Sequence, residues 1–529
     1  MTATLPPTTS TESPAPFQNE PLTDFANADY AKAQEDALRE VAAETGTVFP
    51  LIIGGERLLR EETFASLNPA HPQQVLARFA KASVADANTA IETAWKRFQT
   101  WQYTSTAERA GILFQAARLL RERRFYFNAL MIYEVGKSWV EADADTAEAI
   151  DFLEFYGREA LRIGGPQPLT PTAGEENYLR YIPLGVGAVI PPWNFACAIM
   201  VGLTSSALVA GNTVVLKPAS TAALVAARFV ELLADAGVPD GVVNFVTGPG
   251  GVIGDALVTH PLTRFISFTG SREVGLRINQ LAATQQPGQK WIKRAILEMG
   301  GKDSIVVDET AGLDAAAAAI VVSAFGFQGQ KCSACSRAII VDSVYEHVLE
   351  KAVERARTLT VGDTTDQAMY MGPVVDENAY KKILDYIAIG KTEGKVALGG
   401  EKLDREGYFI APTIFRDVSP TARIAQEEIF GPVLAIIRAR DYEDALAIAN
   451  NTEYGLTGSF FSADRGRIAR AEREFFVGNL YLNRKCTGAL VGVHPFGGFN
   501  MSGTDSKAGG ADYLLLFTQA KSIAVKTNN

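Results

Sequence analysis

Apolar residues recur at helical spacing across 83–99, where Val84, Ala87, Ile91, Ala94, Trp95 and Phe98 share one face. Ser83, with Asp86 three residues on, supplies the capping box that starts such a helix. The same period returns over 108–123 and 141–155, so 17–160 reads as mainly helical with one short strand near 50–53. At Gly164 the period is lost. Pro166, Pro168 and Pro171 punctuate an extended segment, and 178–182 reads as strand, an arm or hairpin rather than a helix. A regular alternation follows. Apolar runs at 186–190, 213–216, 242–246 and 265–268 read as buried strands, with helices between them at 196–210, 222–236 and 252–258. That order predicts an α/β fold with a doubly wound parallel sheet. A second α/β stretch runs from 304 to about 480, with strands at 304–307, 338–341 and 433–437. The chain closes on two strand-like runs, 513–517 and 523–525, suited to pair with the extended arm.

Composition narrows the function classes. A chain of 529 residues is too long for one core, and 47% apolar with 21% charged residues is ordinary globular composition. A net charge of −10 gives no pull toward nucleic acid or an anionic membrane. No apolar run approaches the roughly 18 residues of a spanning helix. Residues 1–16 are Thr/Pro/Ser-rich without Lys or Arg, a disordered tail rather than a targeting segment. Four cysteines and four scattered histidines predict a reducing, cytoplasmic setting and no metal site.

The candidate chemistry lies in two stretches. Glu298 precedes Gly300-Gly301, and Cys332 lies in the polar loop Phe327-Gln328-Gly329-Gln330-Lys331-Cys332-Ser333-Ala334-Cys335. A thiol nucleophile and a carboxylate base are what forming and hydrolysing a thioester requires. Lys331 beside Cys332 is expected to favour the thiolate. Cys332 and Cys335 also form a Cys-x-x-Cys, which keeps a thiol–disulfide or metal protein as the rival, although a structural zinc site would need a second pair. Asn194, in Pro192-Trp193-Asn194-Phe195, offers a side-chain amide to an oxyanion. Polar or Gly-rich stretches end three predicted strands: Lys217-Pro218-Ala219-Ser220, Gly248-Pro249-Gly250 with Gly254, and Phe268-Thr269-Gly270-Ser271. Each alone is weak, and the glycine spacing does not fit Gly-x-Gly-x-x-Gly. Together they suit a dinucleotide.

These motifs resemble the aldehyde dehydrogenase superfamily. The resemblance implies a cofactor domain with a doubly wound parallel sheet, a second α/β catalytic domain and a β-arm for oligomerisation. It divides the chain into 17–163 with 186–296 for NAD, 297–504 for catalysis, and 164–185 with 505–529 as arm and tail. It implies Cys332 as nucleophile, Glu298 as base and Asn194, with the cysteine N–H, as oxyanion donor. Lys217, Ser220, Trp193, Gly250, Gly254 and Ser271 would meet the cofactor, as would Glu428 and Phe430 in Glu427-Glu428-Ile429-Phe430-Gly431-Pro432. Ser220 stands where many NAD-preferring members carry Glu, so NAD is expected and NADP is left open.

Within the superfamily, Asn19-Glu20-Pro21, Phe325–Arg337 and Asn483–Thr504 are similar to the 1-pyrroline-5-carboxylate (glutamate-γ-semialdehyde) dehydrogenase branch. By that similarity Ser333 and the N–H groups of Gly488 and Ala489 would hold an α-carboxylate. Phe195 and Phe496 would enclose the aliphatic carbons, and Glu148 would face the ammonium. The implied activity is NAD-dependent oxidation of L-glutamate γ-semialdehyde to L-glutamate in proline catabolism. The expected assembly is a homodimer or larger, with arm and tail pairing between subunits. A proline dehydrogenase is the expected functional partner, and neither nucleic acid nor membrane is a partner. An aldehyde dehydrogenase of other specificity is the runner-up.

Overall fold

The helix expected from Ser83 runs Val84–Trp101. Ser83 Oγ accepts the Asp86 N–H at 3.1 Å, and the Asp86 carboxylate accepts the Ser83 N–H at 2.9 Å, which closes the capping box. Ala87, Ile91, Ala94 and Phe98 are buried, whereas Val84, in the first turn, is exposed. The structure is a computed structural model describing residues 15–527. Residues 1–14 of the expected tail lie outside the described residues.

Between 17 and 160 the chain is less helical than its pattern suggests. Thr47–Phe49, Leu51–Ile53, Glu56–Leu58, Thr63–Asn68 and His71–Ala80 are strands. The last two pair antiparallel with register shifts at Ser66/Leu67 and Leu67/Asn68, and such bulges break the two-residue period. The run 513–517 is a 3₁₀ turn rather than a strand, Tyr513–Phe517. A short apolar run with Tyr513, Leu514 and Phe517 buried carries no period to separate the two.

The predicted alternation folds into one sheet. Its order is Arg294–Glu298, Thr263–Thr269, Val186–Ile190, Thr213–Leu216, Val243–Phe245, then the antiparallel Leu51–Ile53 and Glu56–Leu58. The first five strands are parallel. The order reverses between Val186–Ile190 and Thr263–Thr269, and a ligand crevice opens outside the carboxyl ends at such a switch point. Helices cover both faces with separate apolar clusters, one around Ile150, Val201 and Phe229, the other around Ile91, Ile253 and Ile266. A second sheet carries the parallel strands Thr413–Arg416, Val433–Ala439, Arg337–Val341, Ser304–Val307, Thr457–Phe461 and Asn479–Leu482, with Lys395–Leu398 antiparallel at its edge.

The arm is a third sheet in which Thr518–Lys526 pairs antiparallel with Glu175–Pro183 along its length. This pairing is made within one chain, not across subunits. Residues 505–517 lie against the strand Arg294–Glu298: Ser506 Oγ donates to Glu298, and the Arg294 guanidinium donates to the carbonyls of Leu515 and Leu516.

Candidate active site

Strands Thr263–Thr269 and Arg294–Glu298 run in register, Thr269 beside Glu298, so both present their carboxyl ends at one edge of the crevice. A groove of about 640 Å³ opens there. Trp193, Asn194 and Lys217 line it from the loops after their strands, and Gly250, Gly254 and Ser271 line it from helix starts. Glu428 and Phe430, on the loop before the strand Val433–Ala439, line it from the other side, and Cys332 also lines it. Ser220, half-buried on the 3₁₀ turn after Lys217, is not among the lining residues.

The side chains fit a dinucleotide. A Cβ built on Gly250 or Gly254 meets no atom within 4 Å, so the glycines leave open floor at the start of the helix Gly250–Thr259. The Lys217 ammonium is buried and, among the described residues, donates only to Pro218 O, at 3.1 Å; burial lowers its pKa to about 8. It can meet ribose hydroxyls. Ser271 caps the next helix, accepting the Val274 N–H and keeping its own proton to donate. The Glu428 carboxylate accepts the Gly301 N–H at 3.1 Å, and burial pushes its pKa up. Phe430, at φ +60°, meets Trp193 edge-to-face at 5.5 Å.

A second, narrower cavity of about 100 Å³ begins at Cys332. Glu148, Phe195, Ser333, Gly488, Ala489 and Phe496 all line it. Among the described residues, the N–H groups of Gly488 and Ala489 donate to no protein acceptor, while Arg484 holds the Gly488 carbonyl at 2.7 Å. Burial, with Asp145 nearby, raises Glu148 to about 8. Cys332, Thr269 and Met299 border both spaces.

Around the thiol, Asn194 Nδ2 donates to Gln330 O at 3.1 Å, which fixes its amide beside the nucleophile loop with one N–H spare. Burial raises the Cys332 pKa far above the usual thiol range, reinforced by the carboxylates of Asp303, Glu428 and Glu298. Lys331 does not relieve this, contrary to expectation: its ammonium pairs with Glu141 at 2.7 Å. Glu298 is buried, and burial lifts its carboxyl to about 7 against hydrogen bonds from Ser506 and Gly498. Ser506 Oγ donates to Glu298 Oε1, and the Gly498 N–H reaches Oε2 at 3.3 Å. Sequence reasoning missed Ser506, because Thr504-Asp505-Ser506-Lys507 looks like any polar stretch at a domain end.

Cys335 is 1% exposed, donates to Arg337 O at 3.3 Å and borders neither cavity. It packs beneath the loop, which removes the basis for a Cys332/Cys335 dithiol. Among the described residues, no group of three His, Cys, Asp or Glu side chains could hold a metal ion.

Residues 58–523 match the aldehyde dehydrogenase family. The chain is 57% identical over 509 residues to the 1-pyrroline-5-carboxylate dehydrogenase of Geobacillus kaustophilus, covering 96% of this chain and 99% of that one. It is similar to the crystal structure of 1-pyrroline-5-carboxylate dehydrogenase from Thermus with bound NAD. There the TM-score is 0.96 at 52% identity, over 97% of this chain and 100% of that one. Proline utilization A from Bdellovibrio bacteriovorus matches with a TM-score of 0.96 at 42% identity, over 98% of this chain and 54% of that longer one.

Proposed function

The chain belongs to the aldehyde dehydrogenase family, and from that membership we propose that it oxidises L-glutamate γ-semialdehyde, in equilibrium with 1-pyrroline-5-carboxylate, to L-glutamate. The observation that carries this reading is the position of Cys332. The thiol borders both a dinucleotide-sized groove and a narrow cavity walled by the unpaired N–H groups of Gly488 and Ala489.

Ser333 and those two N–H groups take the α-carboxylate, an anion site built largely from backbone donors. Glu148 faces the ammonium, a cation that would draw its raised pKa back down. Phe195 and Phe496 hold the carbons between them, which brings the aldehyde carbon to Cys332. The Cys332 proton passes to Glu298, which lines the same cavity and returns it to solvent. Attack by the thiolate so freed makes a thiohemiacetal whose oxyanion meets the spare N–H of Asn194 and the Cys332 N–H. Each such donor is worth about 3 kcal/mol in acyl transfer. Lys217, Ser271 and Glu428 would hold NAD in the groove, where it would supply the acceptor for the hydride. Loss of hydride leaves a thioester on Cys332. Glu298 then takes a proton from water, which attacks the thioester carbonyl and frees L-glutamate and the thiol.

NAD is the cofactor of this proposal. Ser220 offers no carboxylate to repel a 2′-phosphate, so NADP belongs in the same assay. We place the enzyme in the cytoplasm, where its four unpaired cysteines fit a reducing compartment. We also propose a homodimer or larger assembly, working downstream of a proline-oxidising enzyme. The likeness to proline utilization A supports that pairing.

The test compares glutamate semialdehyde with simple aliphatic aldehydes, using NAD and NADP in parallel, in the parent and in Cys332→Ser. The parent is expected to prefer the semialdehyde, and Cys332→Ser to lose oxidation while still binding NAD. Near-parental oxidation by Cys332→Ser would overturn the mechanism. Equal kcat/KM across the aldehydes would leave only an aldehyde dehydrogenase of other specificity.

A further inference from the structure

Beneath the site lies an ion pair with no access to water. Lys137 and Asp145 are each 0% exposed, and Lys137 Nζ stands 3.0 Å from Asp145 Oδ2. An isolated buried charge is costly and a pair recovers the cost only with good geometry, so its placement asks for a reason. The helix Arg124–Val135 ends at Gly136, whose left-handed backbone (φ +68°) turns the next residue, Lys137, inward. There the ammonium lies against two aromatic rings, 4.4 Å from the centroid of Phe195 and 4.4 Å from that of Phe327.

Those rings belong to the two loops that must meet for chemistry. Phe195 follows Asn194, the oxyanion donor. Phe327 opens the nucleophile loop, where it and Gln328 hold left-handed backbone at φ +50° and +56°, conformations that persist only when surroundings enforce them. The enforcing contacts converge on Gly136-Lys137. Gln328 Nε2 donates to Gly136 O at 2.9 Å and to Pro373 O at 2.8 Å, and Phe327 rests on the ammonium. On the other side, Asp145 Oδ1 accepts the Ala198 N–H at 2.6 Å, which fixes where the loop carrying Asn194 enters the helix Ala198–Val209.

We propose that Lys137, ion-paired with Asp145, is a positioning residue that sets the Asn194 amide against Cys332 by clamping Phe195 and Phe327. It touches neither substrate nor cofactor. The inference rests on Cys332 as nucleophile and Asn194 as oxyanion donor.

The test is a coupling measurement. Lys137→Met alone strands the Asp145 charge and is expected to impair folding. Lys137→Met combined with Asp145→Asn removes both charges, keeps an aliphatic side chain between the rings and keeps an acceptor for the Ala198 N–H. This double variant is expected to melt and bind NAD like the parent, with NADH formation in a single turnover slowed by about 10²-fold, the cost of a misplaced oxyanion donor. Adding Asn194→Ala should then cost only a few-fold, against about 10²-fold or more in the parent background. An undiminished effect of Asn194→Ala in the charge-free background would overturn the proposal, as would single-turnover rates within twofold of the parent. Should the double variant not fold, Phe327→Leu leaves the ion pair intact and removes one clamped ring. It is expected to lower kcat several-fold at unchanged KM for NAD and to show the same reduced sensitivity to Asn194→Ala; a parental kcat overturns the clamp. Failure of the underlying reading is distinct, since it appears as retained activity in Cys332→Ser.

Discussion

At the scale of the residue, the proposed base is governed by a side chain that no motif announced. Glu298 and Cys332 are readable in the sequence because glycines and a polar loop frame them. Ser506 acts only through its hydroxyl contact with Glu298, a relation between residues 208 positions apart. In the proposed mechanism Glu298 is the base and serves only when ionised, so thioester hydrolysis is expected to rise with pH through its pKa of about 7. Ser506→Ala removes a hydrogen bond to the carboxylate and leaves the burial, so the pKa moves up, by about one unit. The deacylation-limited pH profile is expected to shift to higher pH by that amount, with activity recovered at alkaline pH; an unmoved profile would show that Ser506 does not tune the base. Gly300 makes a steric counterpart. A Cβ there would sit 2.3 Å from either carboxylate oxygen of Glu428. Gly300→Ala therefore displaces Glu428 from the groove, and KM for NAD is expected to rise by about tenfold, roughly 1.4 kcal/mol of binding, while the rate of Cys332 alkylation stays near the parent's.

At the scale of the element, legibility followed burial. The strands Val186–Ile190, Thr213–Leu216 and Ser304–Val307 lie in sheets covered on both faces, and they read as unbroken apolar runs. The strands Thr63–Asn68 and His71–Ala80 are partly exposed and bulged, and their residues carry no clean period. Elements joined by one buried group were equally invisible. Glu134, on the helix Arg124–Val135, accepts the Ser66 hydroxyl at 2.6 Å and the N–H groups of Leu224 and Val225 at 2.8 and 3.0 Å. It thereby caps the helix Ala223–Asp235, whose own N-cap, Ala222, offers no side-chain acceptor. The turn bearing Lys217 and Ser220 feeds directly into that cap. Glu134→Ala leaves buried donors unmet, and a loss of about 3 kcal/mol is expected. A thermal melt should show a Tm lower by roughly 3 °C, the shift that about 3 kcal/mol makes against the unfolding entropy of a chain this long, with kcat per folded molecule retained.

At the scale of the whole molecule, the unfinished feature is the arm. Thr518–Lys526 pairs along one side with Glu175–Pro183, and it forms the outer edge of its three-stranded sheet. Among the described residues, no strand of the same chain pairs with its other side. Most of its side chains are exposed, Val525 at 43%. A nine-residue edge with open N–H and C=O groups is a template for another strand, and folds that remain single copies blunt or cover such edges. A second copy of this chain has the chemistry to cover it. Light scattering at micromolar concentration is expected to report a dimer or larger species. A chain ending at Gln519 keeps the turn Tyr513–Phe517 that borders the substrate cavity and loses most of the edge strand. It is expected to dissociate to monomer while the Glu298–Ser506 contact, and with it the pH profile of hydrolysis, is preserved. An undiminished assembly after that truncation would place the interface elsewhere on the surface.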